Sequence, residues 1–445
     1  MRLIAVTSLL LAVGAAPAAA SWSPAKGYDP APAACRKHTR SVPITCVGEP
    51  APRVAVNPSG AAVAVWRDLR DRVRAAVADR AGHFGAAVTL SARGLQPTAA
   101  ITPDGTVTAI WTDATGTLRY ARRRAGRSFG PAARLVARGS KQEDSSAKAA
   151  GEPDGSVVVV YESPFRGPGG QYVERLRAMR LSAAGHPGAP TELGRGSFGR
   201  DSTRIAADGT LVACCVQPAL TSPDQPPATA SMIAVFRPGV GWKLISVAAL
   251  GMDAIETIFA TKSELALGTL RVEQGGDAGV LGIPGVARAG ADGSLAAALR
   301  APIRRKDRGL APNVTIDGSG RSVLLFQEKT KAQAFSRDAP VYASVGAPDA
   351  ASLPVRQRLD ARLAYEPAVR PYGQGAIGVW QAPGQRWKVA IETAGTFHPI
   401  PGPSGPGPST LGEDFNLAYD LETNGAHAVL AWGAGDGSIR VSELK

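Results

Sequence analysis

The sequence predicts an all-β chain folded as a single β-propeller of four-stranded antiparallel blades. Three observations carry this prediction. A unit of strand, glycine turn and aromatic-ended strand recurs along the chain, and the turn glycines are spaced at intervals near the length of a blade. The composition, with Gly 51 and Pro 35, supplies many turns between short elements. Repeats of about 40–50 residues holding four strands each are the signature of propeller blades.

The first two units show the pattern most clearly. Pro52-Arg-Val-Ala-Val-Asn-Pro-Ser-Gly60-Ala-Ala-Val-Ala-Val-Trp66 matches Pro97-Thr-Ala-Ala-Ile-Thr-Pro-Asp-Gly105-Thr-Val-Thr-Ala-Ile-Trp111. Both read as an apolar strand, a hairpin turn ending in Gly, and an alternating strand ending in Trp. A third strand follows (73–79 and 118–124), then a fourth (87–90 and 133–136). Later units keep the turn glycine and the closing residue: Gly155 with Tyr161, Gly209 with Cys215, Gly320 with Phe326, Gly375 with Trp380 and Gly425 with Trp432. Successive glycines are 45, 50, 54, 111, 55 and 50 residues apart. The long interval holds two units, the hidden one centred on Ser263-Glu-Leu-Ala-Leu. The count is therefore eight blades, or seven if that unit merges with a neighbour. The strands are rich in Val, Ile and Thr, which suit a pleated, half-buried surface. The last unit offers only three strands, near 416–421, 426–432 and 438–444. Ser41–Val47 is read as its missing fourth strand, so that pairing of the chain ends closes the ring and removes exposed edges.

The first residues read as an export signal: Arg2, an apolar run from Leu3 to Gly14, and Ala18-Ala19-Ala20 for cleavage. The run is too short to span a bilayer. The expected organisation is a signal peptide at 1–20, an N-terminal extension at 21–40 and the propeller at 41–445. The product is expected to be a monomer, secreted or held at the cell envelope, with no transmembrane segment. Net charge is +13, from 50 Lys and Arg against 37 Asp and Glu. The cations are scattered and the chain is expected to be exported, so a nucleic-acid partner is not expected. An anionic envelope or acidic glycans could still attract it. In an oxidising compartment Cys35 and Cys46 are expected to pair. Cys214 and Cys215 are read as two separate thiols, because neighbouring strand residues face opposite ways; a vicinal bridge is the alternative.

By strand pattern and repeat length the chain resembles secreted bacterial β-propeller repeat proteins of the sialidase-like or WD-repeat-like kind. The resemblance implies a fold and no specific activity. The Asp-boxes of sialidase-like propellers (roughly Ser-x-Asp-x-Gly-x-Thr-Trp) are absent, with only the fragment Asp436-Gly437-Ser438, and blade-ending Trp-Asp dipeptides are missing too.

No nucleophile elbow, phosphate loop or metal-ligand helix motif is present, so neither a cofactor nor a metal is expected. Glycoside hydrolysis needs two carboxyl groups facing each other across a cleft. Asp68, Asp113, Glu162 and Glu328 each follow a strand-ending aromatic by one or two positions and are the candidates for it; they also read as ordinary charged loop residues beside arginines. The aromatics Trp66, Trp111, Tyr161, Phe326, Trp380 and Trp432 could stack sugars, but their phase matches the apolar face, which favours packing between blades. The loops after the second strand lengthen in four consecutive units: 162–172, 217–229, 272–279 and 327–340. Long loops on a rigid scaffold are where binding sites arise. The expected function is accordingly an exported, non-enzymatic binding scaffold that contacts an extracellular protein or glycan through these loops. The alternative is a sialidase-like glycan hydrolase using the four carboxylates.

Overall fold

In the computed structural model, the residues described are 20–29, 52–136, 146–166, 172–195, 203–205, 210–216, 232–250, 253–261, 263–274, 281–289, 294–303, 307–330, 339–354, 356–382, 386–405, 419–425, 427–434 and 438–444. They form eight antiparallel blades. Blade 1 pairs Arg53–Val56, Ala62–Arg67, Val73–Val77 and Val88–Ser91, from the channel outward. Blade 2 pairs Leu95–Ile101, Val107–Thr112, Leu118–Arg123 and Ala133–Val136. Blade 3 pairs Ala147–Gly151, Val157–Arg166, Tyr172–Leu181 and Thr191–Arg195. Blade 4 pairs Thr203–Ile205, Leu211–Val216, Met232–Arg237 and Gly241–Ser246.

Blades 5 to 7 share hydrogen bonds as one long sheet. Blade 5 is Asp253–Ala260, Leu265–Gln274, Leu281–Ala289 and the short Leu299–Arg300; the turn before Leu265, closed by Thr261 N–H to Glu264 O at 2.8 Å, is the hidden unit near Ser263. Blade 6 is Asp307–Ile316, Ser322–Thr330, Ala339–Gly346 and the start of Gln357–Tyr372. The same strand then crosses from rim to channel and becomes the innermost strand of blade 7, beside Gly375–Ala382, Arg386–Thr393 and Thr396–Ile400. Blade 8 is Tyr419–Asn424, His427–Gly433 and Ile439–Leu444.

Pairing of the chain ends closes the ring, with one correction. The fourth strand of blade 8 is Lys26–Tyr28, which pairs with Ile439–Val441. Ser41–Val47 lies outside the described residues, and the place it was expected to fill is already taken. Upstream of the strand, Ser23 N–H donates to Glu443 O at 2.7 Å and Ser442 Oγ to Ser23 O at 2.6 Å. Only three residues pair as a strand, too few for any alternation to show in the sequence. Cys35 and Cys46 also lie outside the described residues. At Cys214 and Cys215 the pairing register shifts, with Ala213 opposite Ala234 and Val216 opposite Met232. The two cysteines thus lie at a break in the ladder.

The core lies between blades. Each strand-ending aromatic is buried against the preceding blade: Trp66 with Tyr28 and Val429 of blade 8, Tyr161 with Ile110 and Leu118 of blade 2, and Phe326 with Phe259 and Val286 of blade 5. Trp380 and Trp432 do the same against blades 6 and 7. A ring of this kind leaves the innermost edges unpaired, and buried backbone groups need partners. Side chains of the preceding blade supply them. Asp420 Oδ2 accepts from Val54 N–H at 2.9 Å, Asn313 Oδ1 from Val369 N–H at 3.0 Å, and Thr257 Oγ1 donates to Pro312 O at 3.0 Å.

Candidate functional site

Asp68 and Asp113 sit just past the end of the second strand, where the chain turns back toward the third, whereas Glu162 and Glu328 lie within longer second strands. Asp68, Asp113 and Glu162 belong to the neighbouring blades 1, 2 and 3. Glu328 is in blade 6, four blades from Asp113 and so across the ring from it.

Each is committed to its surroundings. Asp68 is buried; its Oδ1 accepts from Arg70 N–H and Arg72 N–H, both at 2.9 Å, and its Oδ2 from Arg72 Nε at 2.7 Å. Asp317, in the turn between the first two strands of blade 6 and so at the opposite end of its blade, repeats this arrangement. Its Oδ1 accepts from Ser319 N–H and Arg321 N–H at 2.9 Å and its Oδ2 from Arg321 Nε at 2.7 Å. Asp68 therefore builds a turn in the way Asp317 does: a short carboxylate closes a tight loop by accepting from the two amides that follow.

Asp113 does the same with Thr115 N–H at 2.9 Å and Thr117 N–H at 3.1 Å, and pairs with Arg119 at 2.8 Å. Partial burial alone would raise its pKa, but the hydrogen bonds from Thr115, Arg119 and Thr117 outweigh that and hold it at about 2. Glu162 accepts from Ser146 Oγ at 2.5 Å, and Glu328, also buried, is ion-paired with Arg356. The Arg356 guanidinium lies over the Tyr342 ring at 4.5 Å, and Tyr342 stacks on Phe326.

The depressed pKa of Asp113 has a stability consequence. Its contribution is fully present above the ordinary carboxylate range near 3.9 and is lost as pH falls through about 2. Asp113→Asn is expected to cost on the order of 1–3 kcal/mol at neutral pH. The melting difference between parent and variant, followed by circular dichroism, should hold steady above about pH 5 and shrink toward pH 2. A difference that does not change with pH would mean the carboxylate is not held as its contacts indicate.

The register reveals a second pattern that the sequence alone did not. In five blades the residue opposite the strand-ending aromatic is a cation: Trp66 faces Arg74, Trp111 faces Arg119, Tyr161 faces Arg177, Trp380 faces Lys388 and Trp432 faces Arg440. In blade 6 the partner is Tyr342. Two tryptophans also donate to an acid at the outer edge of the preceding blade, Trp66 Nε1 to Asp29, just past the outer strand, at 2.7 Å and Trp380 Nε1 to Asp360 at 3.1 Å. The aromatics are thus spent on inter-blade packing and present no open ring for a sugar. The signal that could have revealed this was the constant spacing of Trp, Asp two residues on, and Arg eight residues on, in Trp66-Asp68-Arg74 and Trp111-Asp113-Arg119.

The loops expected to form the contact face are partly strand. The second strand runs to Arg166 in blade 3, Gln274 in blade 5 and Thr330 in blade 6, with 10, 10 and 9 residues against 6 in blades 1 and 2. The hairpins of these blades therefore stand taller than those of blades 1 and 2, and their tips lie outside the described residues, as does the loop of blade 4 from 217 onward. Among the described residues no group of three or more His, Cys, Asp and Glu is placed to hold a metal ion. Nor is any helix among them long and apolar enough to cross a membrane.

No protein-family model and no curated protein matches the chain. Solved structures do resemble it. The BP39L lectin from Burkholderia pseudomallei aligns at TM-score 0.49 and 12% identity, over 78% of this chain and 98% of the lectin. Sqt1 from Saccharomyces cerevisiae aligns at TM-score 0.48 and 10% identity, over 91% and 96%. The polysaccharide lyase Uly1 aligns at TM-score 0.46 and 10% identity, over 88% and 89%. The chain is an eight-bladed β-propeller. At these identities the likeness assigns neither ligand nor chemistry, and the fold rests on the blade pairing itself.

Proposed function

We propose that the chain is an exported, non-enzymatic binding scaffold for an extracellular protein or glycan. Its contact face would be the tall hairpins of blades 3, 5 and 6 with the loop of blade 4 between them. The observation that carries this reading is the commitment of Asp68, Asp113 and Glu328, three of the four candidate carboxylates. A general acid must hold a proton near the working pH, and Asp113, at about 2, cannot. Asp68 spends both oxygens on its own turn and on Arg72. Glu328 stands across the ring from Asp113 and is neutralised by Arg356. Retaining and inverting glycosidases alike need two carboxyl groups about 5–10 Å apart, flanking one bond. The rigid rear support is a further argument, since a closed ring presents loops without deforming.

The test is a screen of the chain lacking residues 1–20 against a glycan array and a panel of chromogenic glycosides. Binding without turnover is the expected result. Turnover that survives in Asp68→Asn and Asp113→Asn would place catalysis elsewhere and end the scaffold reading. Turnover abolished by either change would establish the hydrolase in its place.

A further inference from the structure

Positive charge on the outer half of the blades is greatest on blade 2. Counting the third strand, the outer strand and the turn between them, blade 2 (118–136) has six arginines and no acid, which is +6. The same segment of blade 3 (172–195) has four arginines less two glutamates, +2, and that of blade 6 (339–360) has two arginines less two aspartates, 0. The other five blades fall at +1 or +2.

Structural work accounts for only two of the six. Arg122 reaches into blade 3, donating to Ser182 O at 2.9 Å, Ala183 O at 2.7 Å and Gly155 O at 3.1 Å. Arg119 pairs with Asp113. The side chains of Arg123, Arg124, Arg127 and Arg134 make no hydrogen bond or ion pair among the described residues, and all but the half-buried Arg123 are exposed. Arg134 also stands directly opposite Arg119 in the register. Arg119 is already paired with Asp113, so Arg134 gains no partner from this neighbour. The connector that follows, 137–145, adds Arg138 and Lys141 against Glu143 and Asp144, and leaves the balance unchanged.

We propose that the rim of blade 2 is a docking surface for an acidic polysaccharide, a carboxylated or sulfated glycan chain. The four arginines run from the outer strand to the turn at the far end of a six-residue strand, a span of about 20 Å. A single small anion cannot touch them all, whereas an extended polyanion can. The guanidinium fork matches carboxylate and sulfate oxygens two at a time. A lipid surface fits less well, since interfacial binding wants apolar anchors. The exposed large apolar side chains among the described residues are Val88 on blade 1 and Val240 and Leu244 on blade 4. The choice of glycan over nucleic acid rests on the export reading, and nothing here depends on whether the opposite loops bind or catalyse.

The experiment immobilises heparin and polygalacturonate and measures affinity for the chain lacking residues 1–20 over a range of salt. The variant R123S/R124S/R127S/R134S is compared with R80S/K243S/R386S/K388S, which removes the same charge from blades 1, 4 and 7. The rim variant is expected to lose about 30-fold or more with a shallower salt dependence, and the control about 3-fold or less. R134S alone should weaken binding while leaving the melting midpoint unchanged or raised, a combination that a structural residue would not show. Equal losses in both quadruple variants, absence of binding to either polysaccharide, a lowered midpoint in R134S, or tighter binding to phosphatidylglycerol vesicles or duplex DNA would overturn the proposal. Glycoside turnover would sink the scaffold reading and leave this one standing.

Discussion

Removing residues 21–29 is expected to lower the melting midpoint by about 5–10 °C and to make the protein prone to aggregate. The segment is short, but it latches the outer edge of blade 8 to blade 1. Tyr28 is buried, its ring 5.2 Å from that of Trp66, and its hydroxyl donates to Gly85 O at 2.8 Å. Lys26 donates to Phe84 O, and Asp29 accepts from both Trp66 Nε1 and Arg74. Burial of one aromatic and these hydrogen bonds together come to about 5 kcal/mol. Without the strand, Ile439–Leu444 becomes an open edge, which invites pairing with another chain. Replacing 41–47 with a Gly/Ser segment of equal length is the control, and should leave the midpoint unchanged. Melting followed by circular dichroism, with light scattering for aggregation, reads both. A silent deletion of 21–29 would show that the ring holds without its latch.

Trp66→Ala is expected to destabilise by about 3–5 kcal/mol, the range for emptying a large buried aromatic site. The indole is fully buried between blades 8 and 1, in a cluster with Tyr28, Val54, Ala64, Val429 and Val441. Neither blade can close the gap alone, because each is held by its other neighbour in the ring. Trp66→Phe separates the two roles of the side chain. It refills most of the volume but removes the donor to Asp29, so its cost should be about 1–2 kcal/mol. Urea unfolding of both variants checks this. Equal costs would mean that the hydrogen bond, and not the packing, governs the site.

The legible and illegible parts of this molecule divide along physical lines. The blade count was legible because in blades 1, 2, 3 and 6 the inner hairpin turns back with a positive φ, which glycine accepts without steric cost; Gly60, Gly105, Gly155 and Gly320 all have φ between 80° and 82°. The role of the strand-ending aromatics was legible too, because their phase matched the apolar face. Asp68 and Asp113 lie just past their strands and Glu162 and Glu328 within theirs, and the chemistry of these acids was not readable from the sequence. An acid beside an arginine in sequence can be a turn builder or a catalyst, and only the hydrogen bonds of Asp68 and Asp113 decide between these.

Local pattern by itself determined the all-β class, the eight repeats and the closing of the ring by the chain ends. These follow from alternation and turn chemistry, which act over a few residues. Tertiary structure decided which segment closes the ring and that Gln357–Tyr372 serves two blades. Each of these depends on register between strands or on contact between blades, and such pairings join residues tens to hundreds of positions apart, as with Tyr28 and Ile439. No window along the chain contains both partners, so the choice is made only when the blades pack.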